Sequence, residues 1–221
     1  CIRDRLRPWS TSYLGEGDDT LILRGGSGRE DWDPVYVYGE NGSDTFTLSG
    51  DGHYWIRSWL GNGNDIYDAS AATNYDFRSY TYGDSGNDTL IGNDANNQFW
   101  GGNDDDSING GNGNNTLHGD HGNDSIESGS GTDTLYGGDN DDILNAGGGN
   151  DVIYGGNSSA KGDDGSIDTA VFSGKSSDYR VSRATDVTFG YAYYIQDKRD
   201  NSPDGLDTLY DIDRLRFSDG D

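Results

Sequence analysis

Eight nine-residue units follow one another without a gap from Gly83 to Tyr154. In register they read GDSGNDTLI, GNDANNQFW, GGNDDDSIN, GGNGNNTLH, GDHGNDSIE, SGSGTDTLY, GGDNDDILN and AGGGNDVIY. The eighth position is always apolar: Leu90, Phe99, Ile108, Leu117, Ile126, Leu135, Leu144 and Ile153. The sixth is always Asp or Asn: Asp88, Asn97, Asp106, Asn115, Asp124, Asp133, Asp142 and Asp151. A fixed short period with one oil position and one carboxylate position marks a chain that winds and stacks coil on coil.

Glycines in each unit permit positive φ and a tight turn, and the segment after them suits a strand of about three residues. Two units then make one coil, turn–strand–turn–strand, with parallel strands and a thin core of eighth-position side chains. Units on the same edge lie 18 residues apart, which sorts the sixth positions into two ladders. One is Asp88, Asp106, Asp124 and Asp142; the other is Asn97, Asn115, Asp133 and Asp151.

Upstream, Gly15–Asp19, Asn41–Asp44 and Gly61–Asp65 each resemble a turn ending in Asp. Asp19, Asp44, Asp65 and Asp88 are separated by 25, 21 and 23 residues, which suits one wide coil per step. The acidic ladder therefore extends back to Asp19. Downstream, a polar insertion from Asn157 to Asp164 precedes Asp168, whose position fits one more rung.

The formal charge is −25, and residues 83–154 hold fourteen acidic side chains and no Lys or Arg. Composition alone would favour a solvated acidic linker, but a linker has no reason to keep an apolar eighth position. Stacked carboxylates about 4.8 Å apart repel by about 0.9 kcal/mol in water and about 3.5 kcal/mol at an effective dielectric of 20. A divalent ion between them removes the repulsion. Calcium fits, with oxygen ligands at about 2.3–2.6 Å and carbonyls from the glycine turns to complete its shell. Magnesium wants a tighter octahedron, and zinc finds no Cys in the repeats. The candidate metal ligands are Asp19, Asp44, Asp65, Asp88, Asp106, Asp124, Asp142, Asp133, Asp151 and Asp168.

The units resemble the hemolysin-type (RTX) calcium-binding repeat, G-G-x-G-x-D-x-U-x. The resemblance implies a parallel β-roll that binds several Ca²⁺ ions. It also implies a secreted, extracellular bacterial protein, exported by type I secretion machinery and folding where calcium is plentiful. The segment after the repeats, with DTAVFSG, YRVS, YAYYIQD and GLDTLYDIDRLRFSDG, resembles the module that often follows them.

The fold expected is all-β: a parallel β-roll with wide irregular N-terminal coils and a small C-terminal β cap. Residues 1–14 form a flank, 15–82 the wide coils, 83–168 the regular roll and 169–221 the cap. Cap strands are expected at Ala170–Phe172, Tyr179–Ser182, Tyr191–Ile195 and Arg214–Phe217, covering sheet edges that would otherwise aggregate. The single cysteine, Cys1, excludes an internal disulfide, and the chain reads as a piece of a longer protein.

The charge argues against nucleic acid, and no apolar run is long enough for a membrane span. No H-E-x-x-H or G-x-S-x-G motif is present, so the chain reads as non-catalytic. His118 and His121 read as exposed repeat variants. Two other readings stay open. Trp9, Trp32, Trp55, Trp59, Tyr75, Phe77, Tyr80 and Tyr82 concentrate in the wide coils. They fill larger interiors, or they form a polysaccharide-binding face of an extracellular polysaccharide-modifying enzyme or adhesin. An enzyme fragment before Gly83 would instead need a pocket around His53.

Overall fold

The computed structural model describes residues 2–4, 11–24, 34–50, 55–73, 78–156, 166–186 and 190–220. Trp9, Trp32, His53, Tyr75 and Phe77 lie outside them. The fold is an all-β parallel β-roll, as the nonamer period requires. Among the described residues, two long sheets, of ten and eleven strands, face each other across a narrow core.

The regular coils repeat every 18 residues. In one sheet Ile108 pairs with Ile126 and Ile126 with Leu144; in the other Phe99 pairs with Leu117, Leu117 with Leu135 and Leu135 with Ile153. These eighth-position residues are at most 2% exposed, so each unit closes the core over the one before. Upstream the same pairing continues through wider steps, Thr11 with Tyr36, Tyr36 with Arg57 and Arg57 with Tyr80, until Tyr80 pairs with Gln98 at the regular spacing.

The two sheets differ in strand length. One is built on strands such as Ser107–Asn109 and Ser125–Glu127, three residues each, as the repeat predicts. In the other, Gln98–Asn103, Thr116–His121 and Thr134–Asp139 run for six residues. There the first residues of the next unit prolong the ladder before the chain turns: Gly102 pairs with Asp120 and Asp120 with Gly138, all three at positive φ.

The eleven-stranded sheet carries a row of rings on its outer face. Tyr13, Tyr38, Trp59, Tyr82, Trp100, His118, Tyr136, Tyr154 and Tyr210 stack in that order, with centroids 4.4–5.6 Å apart and planes within 14° of parallel. In-register parallel pairing forces this, because equivalent residues of successive coils sit one strand spacing apart. The row corrects two sequence expectations. Trp55, Trp59, Tyr80 and Tyr82 do not fill the wide interiors; they stand half-buried on the outer face. Phe46 and Tyr67 fill the interior instead, 5.4 Å apart. His118 is not an exposed variant but a ring sandwiched between Trp100 and Tyr136, and burial pulls its imidazole down to about 4.

The C-terminal segment closes the stack. Thr169–Val171 and Arg214–Arg216 extend one sheet, pairing in parallel. Leu206–Tyr210, a strand the sequence did not suggest, adds in parallel beside Val152–Tyr154. Gly190–Asp197 and Tyr179–Asp186 then pair antiparallel beyond it. The direction of pairing reverses there, so the parallel ladder ends in a hairpin. A polar knot pins that hairpin: Arg199 donates to Asp197, and the Tyr179 hydroxyl donates to Asp204. Burial alone would raise the Asp197 carboxyl, but the Arg199 hydrogen bonds outweigh it and hold it down at about 2.

Candidate metal centre

The corners between the sheets place the sixth-position residues in two vertical rows. On the acidic edge each backbone N–H donates to the Oδ1 of the Asp one coil later. The distances are 2.7 Å for Asp19 to Asp44, 2.6 Å for Asp44 to Asp65 and 2.8 Å for Asp65 to Asp88. They continue at 2.7 Å to Asp106, 2.8 Å to Asp124, 2.8 Å to Asp142 and 3.0 Å to Asp168. The row passes through steps of 25, 21, 23, 18 and 26 residues without losing this contact. Widening a coil therefore changes the chain between corners but not the corner.

On the other edge the same bond joins Asn97 to Asn115 (2.9 Å), Asn115 to Asp133 (2.6 Å), Asp133 to Asp151 (2.8 Å) and Asp151 to Asp207 (3.0 Å). All ten residues singled out in the sequence thus stand on one of the two rows, Asp19 through its backbone N–H. Two rungs escaped the sequence reading. Asp207 ends the second row, and Asp213 accepts from the N–H of Asp168 at 3.1 Å on the first. The signal for Asp207 was present: Asp207-Thr208-Leu209-Tyr210 repeats Asp133-Thr134-Leu135-Tyr136 letter for letter.

Only one carboxylate oxygen is used in each of these bonds. The Oδ2 atoms of Asp44, Asp65, Asp88, Asp106, Asp124, Asp133 and Asp151 are buried and have no hydrogen-bond partner. A buried carboxylate oxygen without a partner is costly. Glycine makes room for it: a Cβ added at Gly83, Gly101, Gly119 or Gly137 would collide with the Oδ2 of Asp88, Asp106, Asp124 or Asp142. The same added atoms would meet the carbonyl oxygens of Gly101, Gly119, Gly137 and Gly155 in the next coil. Each corner therefore gathers a carboxylate oxygen and carbonyl oxygens around a space kept free of side chain.

The electrostatics agree. Burial, reinforced by neighbouring carboxylates and opposed by the backbone hydrogen bond, pushes Asp106 up to about 8. Burial likewise lifts Asp88 to about 7, Asp151 to about 7 and Asp207 to about 8. Asp65, Asp124 and Asp133 rise to about 6 for the same leading reason. Residues 83–154 contain no Lys or Arg to neutralise them. Each carboxylate corner calls for a positive charge that the repeats do not supply.

The donor set fits a hard cation. Every ligand on offer is oxygen, which suits calcium and not a thiolate- or imidazole-seeking metal. Among the described residues, no group of three or more His, Cys, Asp or Glu side chains is placed to hold a metal ion. An ion here would draw most of its shell from the backbone, which turns at the positive-φ glycines Gly86, Gly113, Gly122, Gly131 and Gly149.

Residues 82–117, 100–135 and 136–159 match the family model of the RTX calcium-binding nonapeptide repeat. Residues 82–159 are RTX repeats, and calcium binding is the property that family carries. No curated protein matches the chain. Among the described residues, no helix is long and apolar enough to cross a membrane.

Proposed function

We propose that this RTX roll is a calcium-dependent folding module of a secreted bacterial protein, kept unfolded before type I export and closed by calcium outside the cell. The observation that carries this reading is the row of buried, unpartnered Oδ2 atoms facing backbone carbonyls. Asp88, Asp106, Asp124 and Asp142 would hold ions with the carbonyls of Gly101, Gly119, Gly137 and Gly155. Asp19, Asp44, Asp65 and Asp168 extend that row, and Asp133, Asp151 and Asp207 serve the second edge. When bound, calcium supplies positive charge and oxygen coordination, and the chain supplies the corner.

The coupling to folding follows from where the ligands come from. Carboxylate and carbonyl oxygens of one corner belong to different coils, so the unfolded chain does not present them together. Each site held at ten times its dissociation constant adds about 1.4 kcal/mol of stability. A row of sites reaches the roughly 5–15 kcal/mol that holds an ordinary domain.

The decisive experiment is a calcium titration of the chelator-treated chain followed by far-UV circular dichroism, with magnesium in parallel. A coil-to-β transition with calcium and not with magnesium is expected. A full β spectrum in excess chelator at neutral pH would overturn the reading. The polysaccharide-binding reading keeps one observation in its favour: Tyr13, at the end of the ring row, is 62% exposed. Sugar stacking needs free ring faces, and the inner rings of the row cover one another's faces.

A further inference from the structure

The second edge begins with two amides, and their geometry differs from that of every carboxylate corner. The Asn97 Nδ2 donates to the carbonyls of Asn93 (3.2 Å), Ala95 (2.8 Å) and Gly110 (2.9 Å). One coil later the Asn115 Nδ2 donates to Gly111 (3.1 Å), Gly113 (3.3 Å) and Ser128 (3.1 Å). In both cases the acceptors are the residues four and two before the Asn and thirteen after it. A Cβ added at Gly92 would lie 2.7 Å from the Asn97 nitrogen and also meet the Gly110 carbonyl. That is the position the Oδ2 of Asp88 holds against Gly83 and the Gly101 carbonyl.

We propose that the side-chain amides of Asn97 and Asn115 stand in for bound cations, so that these two corners close without calcium while the rest of the edge takes ions. The inference rests on the calcium reading above and adds which corners are exempt from it. Asn and Asp have the same shape, and exchanging one oxygen for NH₂ turns an acceptor into two donors carrying partial positive charge. At an Asp corner the buried oxygen faces the negative ends of carbonyl dipoles, and a cation must come between. At an Asn corner the nitrogen already points hydrogens at those carbonyls.

The orientation of the Asn115 amide is fixed independently, because its Oδ1 accepts the Asn97 N–H at 2.9 Å. Turning the amide over would lose that bond and set oxygen against oxygen. The step at the next corner is abrupt. Asp133 makes the same ladder bonds as Asn115, yet its Oδ2 is buried without a partner.

The test compares the full chain with N97D/N115D and with D133N, measuring bound ⁴⁵Ca²⁺ per chain by equilibrium dialysis and thermal midpoint in chelator. N97D/N115D should bind about one further ion for each substitution. It should also melt lower than the parent chain when calcium is withheld. D133N should lose about one ion, keep its β spectrum in calcium and melt higher in chelator. If the parent chain binds no calcium, the calcium reading itself fails. If the parent binds calcium and N97D/N115D binds no more, the amide inference alone is overturned. Should N97D/N115D not fold even in calcium, D133N decides: a chelator midpoint unchanged or lowered overturns the inference, and a raised one upholds it.

Discussion

The two edges of this roll share a backbone and differ by one atom per corner at their start. Along the acidic edge the contact from Asp88 to Asp106 measures 2.7 Å; along the other the contact from Asn97 to Asn115 measures 2.9 Å. Register, turn and glycine placement are common to both. What separates them is whether the second side-chain oxygen has become nitrogen, and that decides whether the corner's carbonyls meet a donor or another acceptor. A repeat protein can therefore set its demand for metal coil by coil, without altering the fold that carries it.

The difference can be pressed hardest with pH in the absence of calcium. Buried carboxylates at about 6 to 8 in the folded chain, against 3.8 in model peptides, favour the folded state only while protonated. Their contribution is complete below about pH 4 and lost as pH rises through about 6 to 8. In chelator the β spectrum should strengthen on acidification and fade toward pH 8; in calcium the trend should reverse, because protons compete with the ion. The amide corners contribute nothing to either slope. A chelator midpoint that rises with pH would contradict this.

Side-chain removal gives the next largest contrast. Asp106→Ala leaves the buried N–H of Asp88 without its acceptor, and Asn115→Ala does the same to Asn97. Each should cost about 1–3 kcal/mol in saturating calcium, read as a loss in denaturant midpoint. In chelator the two should part: Asn115→Ala keeps its full cost, and Asp106→Ala is neutral or stabilising.

Glycine replacement sharpens the comparison further. A Cβ at Gly119 collides with the Asp124 carboxylate and lies 2.5 Å from the Gly137 carbonyl. A Cβ at Gly110 meets its nearest neighbours at 2.9 Å or more, and these are side-chain atoms. Gly119→Ala should therefore weaken calcium binding, measured by dialysis, and cost about 1–3 kcal/mol. Gly110→Ala should cost less and leave the bound calcium unchanged.

The smallest effect expected is at His118. Its imidazole is held at about 4 by burial, so the folded chain resists protonating it. Stability from this group is complete above about pH 6.5 and lost as pH falls through about 6.5 to 4. His118→Phe should lie within about 0.5 kcal/mol of the parent at pH 7 and gain on it toward pH 5. Parallel denaturant melts at the two pH values would detect the crossover.

Much of this was legible because periodicity survives interruption. The 25-, 21- and 23-residue steps of the wide coils could be counted from Asp19 to Asp88, and the rung at Asp168 could be counted across an insertion. Asp207 could not, since 56 residues separate it from Asp151 and two antiparallel strands intervene. Strand direction was carried only by the repeated Asp-Thr-Leu-Tyr: Leu206–Tyr210, which holds it, joins the roll in parallel, and Gly190–Asp197, which lacks it, does not. The ring row was missed for a different reason. Trp100, His118, Tyr136 and Tyr154 end every second unit, but a residue beside an inward position faces outward only once the parity of the strand is known. The amide corners needed three-dimensional acceptors, because Asn and Asp fit the same pattern equally well.

The ring row has an optical consequence. Trp59 is sandwiched between Tyr38 and Tyr82, and Trp100 between Tyr82 and His118, at centroid separations of 4.6–5.6 Å. At such distances light absorbed by a tyrosine passes efficiently to an indole, and near-parallel rings share their near-ultraviolet transitions. A slip of one residue in any strand would turn its ring to the opposite face and cut the row there. Trp59 and Trp100, two of the chain's five tryptophans, thus report the register of the roll, readable by near-UV dichroism and tyrosine-to-tryptophan transfer without any added label.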